Sequence, residues 1–264
     1  MLLQRILTAI VAAALILLVL FAFPAPAAKA VIAAIILAAA WEWAKFVSLY
    51  RPAARLTYVA TIAALLAAVT WLVPSPDSAA VILKVGLVWW LAALIWVFFY
   101  PTPISRPVGW VCGALVLVPA YIALVSLYSL GPAVLLFALV IIWAADIGAY
   151  FAGKSFGRIK LAPRISPGKT WEGVIGGLVA VVLVLVAVRL YWIDIDVAVI
   201  LPFCMAVATL SVVGDLTVSM FKRSAGLKDS GRVFPGHGGV LDRIDSVTAA
   251  APLFALGIGW AGLG

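Results

Sequence analysis

A polytopic bundle of about nine transmembrane helices, all-α in class, is the fold this sequence predicts. Three observations predict it. Of 264 residues, 67% are hydrophobic and 11% are charged, against roughly 25% charged in an average soluble domain. So few charges cannot make a solvated skin. The apolar residues also fall in runs close to the ~20 residues that cross a bilayer as a helix. The alternating apolar and polar pattern of membrane-barrel strands is absent.

The expected spans are 6–23, 29–49, 55–73, 79–99, 108–128, 132–152, 173–192, 197–218 and 246–263. The first follows Arg5 and precedes Pro26-Ala27-Ala28, an arrangement shared with signal peptides. Its apolar stretch is longer than a signal core, and a second span follows at once, so a retained helix is expected. The second ends with Glu42 and Lys45, three residues apart; that spacing favours an ion pair on one helix face over a site role. Spans three to five carry little beyond hydropathy. Residues 1–130 thus read as an N-terminal helical region. Residues 131–264 read as the region that carries chemistry, with long loops at 153–172 and 219–245. Cys112 and Cys204 fall inside spans and are expected to be packing residues, with no disulfide or zinc site.

Charge distribution sets the orientation. With nine spans, 15 of the 18 basic residues fall on one side, and only Lys29, Lys84 and Arg189 on the other. The positive-inside rule makes the rich side cytoplasmic. Attraction to anionic lipid explains the isolated charges at Arg51, Arg55 and Arg106. It does not explain the two long loops, where acids, glycines and prolines are mixed with the bases.

Span six contains Asp146. An Asp at a helix centre costs about 2.5–3.5 kcal/mol on insertion scales, so this carboxylate should face a polar cavity, a cation or an arginine. The next loop contains Ser166-Pro167-Gly168-Lys169-Thr170. It is not a P-loop, because Pro163 stands where the first glycine is required and no strand is expected before it. Ser166 as N-cap and Pro167 at the first helical position is the local expectation. Such a turn, with Lys169 beside it, suits an anion.

Span eight carries Asp215. Beyond it come Lys222, Arg223, Lys228, Asp229, Arg232, His237, Asp242, Arg243 and Asp245. Asp242 and Asp245 are three apart and share a face if the last helix begins nearby. With Asp215 they make a candidate all-oxygen site, a donor set that suits Mg²⁺ with substrate phosphate oxygens. The surrounding bases exceed what one metal site needs and suit a polyphosphate. Gly236, Gly238 and Gly239 would let the backbone approach a ligand closely. By default His237 is a satisfied structural residue; among these glycines it is also a candidate ligand contact.

Residues 219–245 resemble the phosphatidate cytidylyltransferases (CDP-diacylglycerol synthases). They match that family's long pattern, Ser219 through Lys222-Arg223, Lys228-Asp229, Pro235, His237-Gly238-Gly239, and Asp242-Arg243-Ile244-Asp245, at every position. The resemblance extends upstream to Gly214-Asp215-Leu216-Thr217, Ser166–Trp171 and Asp146–Tyr150. Ile147 departs from it, where Ser or Thr is expected. The resemblance implies transfer of the cytidylyl group of CTP to phosphatidate, with pyrophosphate released. It implies Asp215, Asp242, Asp245, Lys222 and Arg223 as the catalytic group, and Asp146, Asp215, Asp242 and Asp245 around Mg²⁺. A second, monovalent cation is compatible with it. Ser166, Lys169, Lys228, Asp229, His237 and Arg243 would bind nucleotide. The implied partners are CTP, phosphatidate and membrane lipid, without nucleic acid; a homodimer stays open. The implied location is a cell inner membrane, with the site facing the cytoplasm. The competing readings are another lipid-phosphate transferase, whose Asp-Gly and Ala-Arg pattern is missing, and a secondary transporter, for which no internal repeat is visible.

Overall fold

The computed structural model describes residues 2–72, 75–191, 197–231, 233 and 238–259, and for residues 2–9 the backbone alone. Among these, nine helices run in the order α1 (Leu2–Ala22), α2 (Ala25–Trp43), α3 (Pro52–Leu72), α4 (Pro76–Phe98), α5 (Arg106–Leu130), α6 (Pro132–Phe156), α7 (Trp171–Tyr191), α8 (Val197–Ser224) and α9 (Leu241–Gly257). A small antiparallel hairpin, β1 (Lys160–Ala162) and β2 (Ser166–Thr170), lies between α6 and α7.

Prolines mark several starts. Pro26, Pro76, Pro107 and Pro132 sit in the first two positions of α2, α4, α5 and α6, where a missing N–H costs nothing. Seven helices among the described residues, α2 through α8, are long and apolar enough to cross a bilayer. That differs from the nine spans expected. α1 is 21 residues long; its side chains are described from Ile10 onward, and Ile10–Ala22 is apolar throughout. The last helix begins at Leu241, five residues before the expected start, and has 17 residues. At 1.5 Å per residue it is about 26 Å long, less than the ~30 Å hydrocarbon core.

The composition of α9 follows from its position. It packs against α2, α4, α5, α6 and α8, and every residue from Asp245 to Pro252 is buried. Neighbouring helices enclose it, so it needs small residues for close approach and not an apolar coat for lipid. Ser246, Thr248, Ala249, Ala250 and Ala251 fill that role. Helices from both halves of the chain therefore surround the same central element.

Two helices outrun their expected ends by at least a full turn. α8 continues to Ser224, and its 28 residues measure about 42 Å. α6 continues to Phe156. The last turns of these helices carry Lys154 on α6 and Lys222 and Arg223 on α8, cations that complement the carbonyl end of a helix. Aromatic rings pack around the α8 extension: Trp43 and Phe221 lie tilted with ring centres 4.8 Å apart, and Trp96 meets Phe221 edge-on at 5.8 Å. The buried indole N–H of Trp43 donates to the Gly109 carbonyl at 3.0 Å, so α2 and α5 are fixed to each other at this level. Cys112 and Cys204 are free, buried thiols.

Candidate active site

The site is built where α8 and α9 meet. A Cβ on Gly214 would sit 2.5 Å from the Asp245 carbonyl oxygen, so only glycine lets the two backbones approach so closely. That contact brings Asp215 beside Asp245. On α8, Asp215, Ser219 and Lys222 recur at helical spacing and share a face. The Ser219 hydroxyl donates to Asp215 Oδ1 at 3.1 Å.

The expected helix start at Ser166 is not found. Ser166–Thr170 is β2, and α7 begins at Trp171. The cap lies four residues later: Thr170 Oγ1 accepts the Gly173 N–H at 3.1 Å. The reason is pairing, because β1 offers this segment a partner strand with Lys160 opposite Thr170 and Ala162 opposite Ser166. The Glu172 carboxylate adds a tie, taking the Ile159 N–H at 3.1 and 3.2 Å. As a result Lys169 is presented by a hairpin and not by a helix N-terminus. Its ammonium pairs with Asp215 Oδ2 at 2.8 Å.

Asp242 and Asp245 occupy the first two turns of α9 as expected, but they do different things. Asp242 Oδ1 pairs with the Lys222 ammonium at 2.8 Å. Its Oδ2 accepts the N–H groups of Ser230 at 2.9 Å and Gly239 at 2.8 Å. Gly238 holds φ at +80° to form that turn, a conformation suited to glycine. Asp245 is 8% exposed, and its Oδ1 accepts the Ser246 N–H at 2.9 Å. The Ser246 hydroxyl donates to Asp146 Oδ1 on α6 at 3.2 Å.

Asp146 is exposed on α6, with Ser246 as its hydrogen-bond donor and Asp215 close enough to act on it. Asp146, Asp215 and Asp245 repel one another, and Lys169 and Lys222 act on the same group. Among the described residues, no three Asp, Glu, His or Cys side chains gather closely enough to cage a metal ion. Asp215, Asp242 and Asp245 are thus neighbours on α8 and α9, not a closed three-carboxylate cage.

The remaining predicted residues lie around this cluster. Arg223 Nε donates to the Ile165 carbonyl at 3.1 Å and Nη1 to the Leu227 carbonyl at 3.2 Å, bracing the hairpin against the end of α8. Lys228, Asp229 and Arg243 are exposed, and Ser166 is half-buried. Arg243 is near enough to Asp146 to act on it electrostatically. Ile147, the departure from the family pattern, is 57% exposed. His237, Arg232 and Gly236 lie outside the described residues.

One residue was misread. The Glu42 carboxylate, 2% exposed, accepts the Ser230 hydroxyl at 2.7 Å, the Val240 N–H at 3.0 Å and the Leu241 N–H at 2.8 Å, all of them far from α2 in sequence. Lys45 donates to the Ser230 carbonyl. The insertion cost that singled out Asp146 applies equally to Glu42, and it was the available signal. Gly239 is also explained here, because a Cβ on it would collide with the Glu42 carboxylate. The glycine accommodates a protein side chain, where a ligand had been expected.

Against known families, the model of the cytidylyltransferase family matches residues 3–259. The chain belongs to the cytidylyltransferase family. It is 44% identical to a phosphatidate cytidylyltransferase of Pseudomonas aeruginosa, covering 100% of this chain and 99% of the relative. A phosphatidate cytidylyltransferase of Haemophilus influenzae is 38% identical, over 97% of this chain and 98% of that one. One from Staphylococcus aureus is 47% identical over 121 residues, 45% of this chain and 46% of the relative. Membership makes the chain a nucleotidyltransferase, and the multi-pass helices place this cytidylyltransferase in a membrane.

Proposed function

We propose that this cytidylyltransferase transfers the cytidylyl group of CTP to phosphatidate, forming CDP-diacylglycerol and pyrophosphate. The observation that carries the reading is the pairing of Lys169 with Asp215 and of Lys222 with Asp242 at the end of a lipid-embedded bundle. It joins cations for a polyphosphate to a surface that a lipid can reach. An oxygen of the phosphatidate phosphate attacks the α-phosphorus of CTP. The bond from that phosphorus to its β-bridging oxygen breaks, and pyrophosphate leaves with the electron pair. The attacking oxygen is already anionic, so no strong general base is needed. The work is positioning two anions and neutralising their charge.

The donor set fits Mg²⁺. One or two of Asp146, Asp215 and Asp245 would supply hard oxygens, and with Asp242 these carboxylates outnumber the ammonium groups of Lys169 and Lys222, leaving negative charge to balance. Mg²⁺ usually takes one or two carboxylates, with waters and substrate phosphate oxygens. Bound there, the ion would neutralise charge on the leaving pyrophosphate. We read all nine helices as crossing the bilayer, α9 being shielded by its neighbours. The basic end, with 15 of 18 Lys and Arg residues, then faces the cytoplasm of a cell inner membrane, where CTP is available.

Purified protein in detergent, given phosphatidate, Mg²⁺ and each nucleoside triphosphate in turn, tests the reading by pyrophosphate release. Release with CTP far above that with ATP, GTP or UTP is expected. Release that is independent of phosphatidate, or equal for all four nucleotides, would overturn it.

A further inference from the structure

We propose that Glu42, on the second helix, is a positioning residue for the transfer. It fixes the start of α9, and thereby the attitude of Asp242 and Lys222 toward the substrates. The inference rests on the activity proposed above.

The first N–H groups of a helix have no partner within it. At the start of α9, Val240 occupies the cap position and makes no side-chain cap hydrogen bond. Glu42 supplies the acceptors instead, across 198 and 199 residues of sequence, taking the Val240 and Leu241 N–H groups. A carboxylate at a helix N-terminus also complements the helix dipole. Glu42 is therefore a cap in trans, delivered by a different transmembrane helix.

The same carboxylate holds the far end of the loop. Ser230 is 0% exposed, and all three of its polar groups are engaged: the hydroxyl with Glu42, the N–H with Asp242 and the carbonyl with Lys45. Two carboxylates, from α2 and α9, thus grip both Ser230 and the turn at 239–241. Asp242 in turn holds Lys222. A continuous polar path runs from Glu42 through the turn to Asp242 and Lys222. Gly231 and Gly239 both lie against the Glu42 carboxylate, where a Cβ would collide, so the described residues at both ends of the loop are packed around this one side chain. Displacement of a catalytic group by about 1 Å can cost on the order of 100-fold in rate.

The test is Glu42→Gln in the full chain. Glutamine keeps the shape but turns an amide donor toward one of the N–H groups. A kcat lowered at least five-fold is expected, with the CTP and phosphatidate KM values changed less than three-fold and detergent melting near that of wild type. A smaller fall in kcat, or one matched by a fall in the folded fraction, would overturn the proposal. Ser230→Ala separates coupling from general damage. If Glu42 acts through the loop, the double variant is no slower than about two-fold below the worse single variant; fully multiplicative losses would contradict it. Wild-type protein inactive toward CTP and phosphatidate would refute the underlying reaction instead, an outcome distinct from an active wild type with an equally active Glu42→Gln.

Discussion

Lys169, near the end of the hairpin's second strand, pairs with Asp215, nine residues before the end of α8, at 2.8 Å. The pair joins the segment that the sequence marked for an anion, Ser166–Thr170, to the acidic residue it marked on span eight. It leaves Lys169 able to reach a phosphate brought to the carboxylates. Lys169→Ala should lower kcat/KM at least 100-fold, a loss of about 2.7 kcal/mol of transition-state stabilisation. Lys84→Ala, on the sparsely charged side, should leave it unchanged. Initial rates of pyrophosphate release decide. Equal effects of the two substitutions would reduce Lys169 to a general surface charge.

Asp242 and Asp245 should separate by phenotype. Asp245 accepts one backbone N–H and faces Asp215, so Asp245→Asn should fold normally, turn over at less than a tenth of the wild-type rate and need more Mg²⁺ for half-maximal activity. Asp242 holds Lys222 and two backbone N–H groups. Asp242→Asn presents an amide donor to one of those sets, so it should lose activity and also about 1–3 kcal/mol of stability. Detergent melting alongside rate measurements tells the two apart. Normal melting with lost activity in Asp242→Asn would assign it to the metal alone.

Arg223 should behave as a brace. Its guanidinium reaches two carbonyls in different loops, a geometry that a single lysine ammonium cannot reproduce. Arg223→Lys is expected to lower the melting temperature while changing the CTP KM less than two-fold. A raised CTP KM with unaltered melting would instead make it a phosphate contact.

Topology is best probed at Asp229. Ser230 beside it is buried, and a cysteine there would resist labelling on either side of the membrane. Asp229 is exposed, and the two native thiols are buried, so background should be low. Asp229→Cys should stay unlabelled by an impermeant thiol reagent in intact cells and react once the cells are opened. Labelling of intact cells would reverse the orientation.

The sequence by itself determined that this chain is a membrane-embedded helical protein, and where its chemistry lies. Both follow from local quantities: the length of apolar runs, the cost of a carboxylate inside one, and the fixed spacing of polar residues in 219–245. Only the tertiary structure decided what each of those residues touches. Ser166–Thr170 reads as a helix start until β1 supplies the partner that makes it a strand. The last helix was misplaced because hydropathy assumes lipid on all sides, whereas α9 is enclosed by protein and is built of small residues. Glu42 looked like half of a local ion pair because Lys45 is three residues away, while its acceptors serve Ser230, Val240 and Leu241 nearly 200 residues later. Hydrogen bonds across such separations leave no periodicity in a sequence; they exist because packing brings α2 against the start of α9, and a buried carboxylate must find donors wherever the fold presents them.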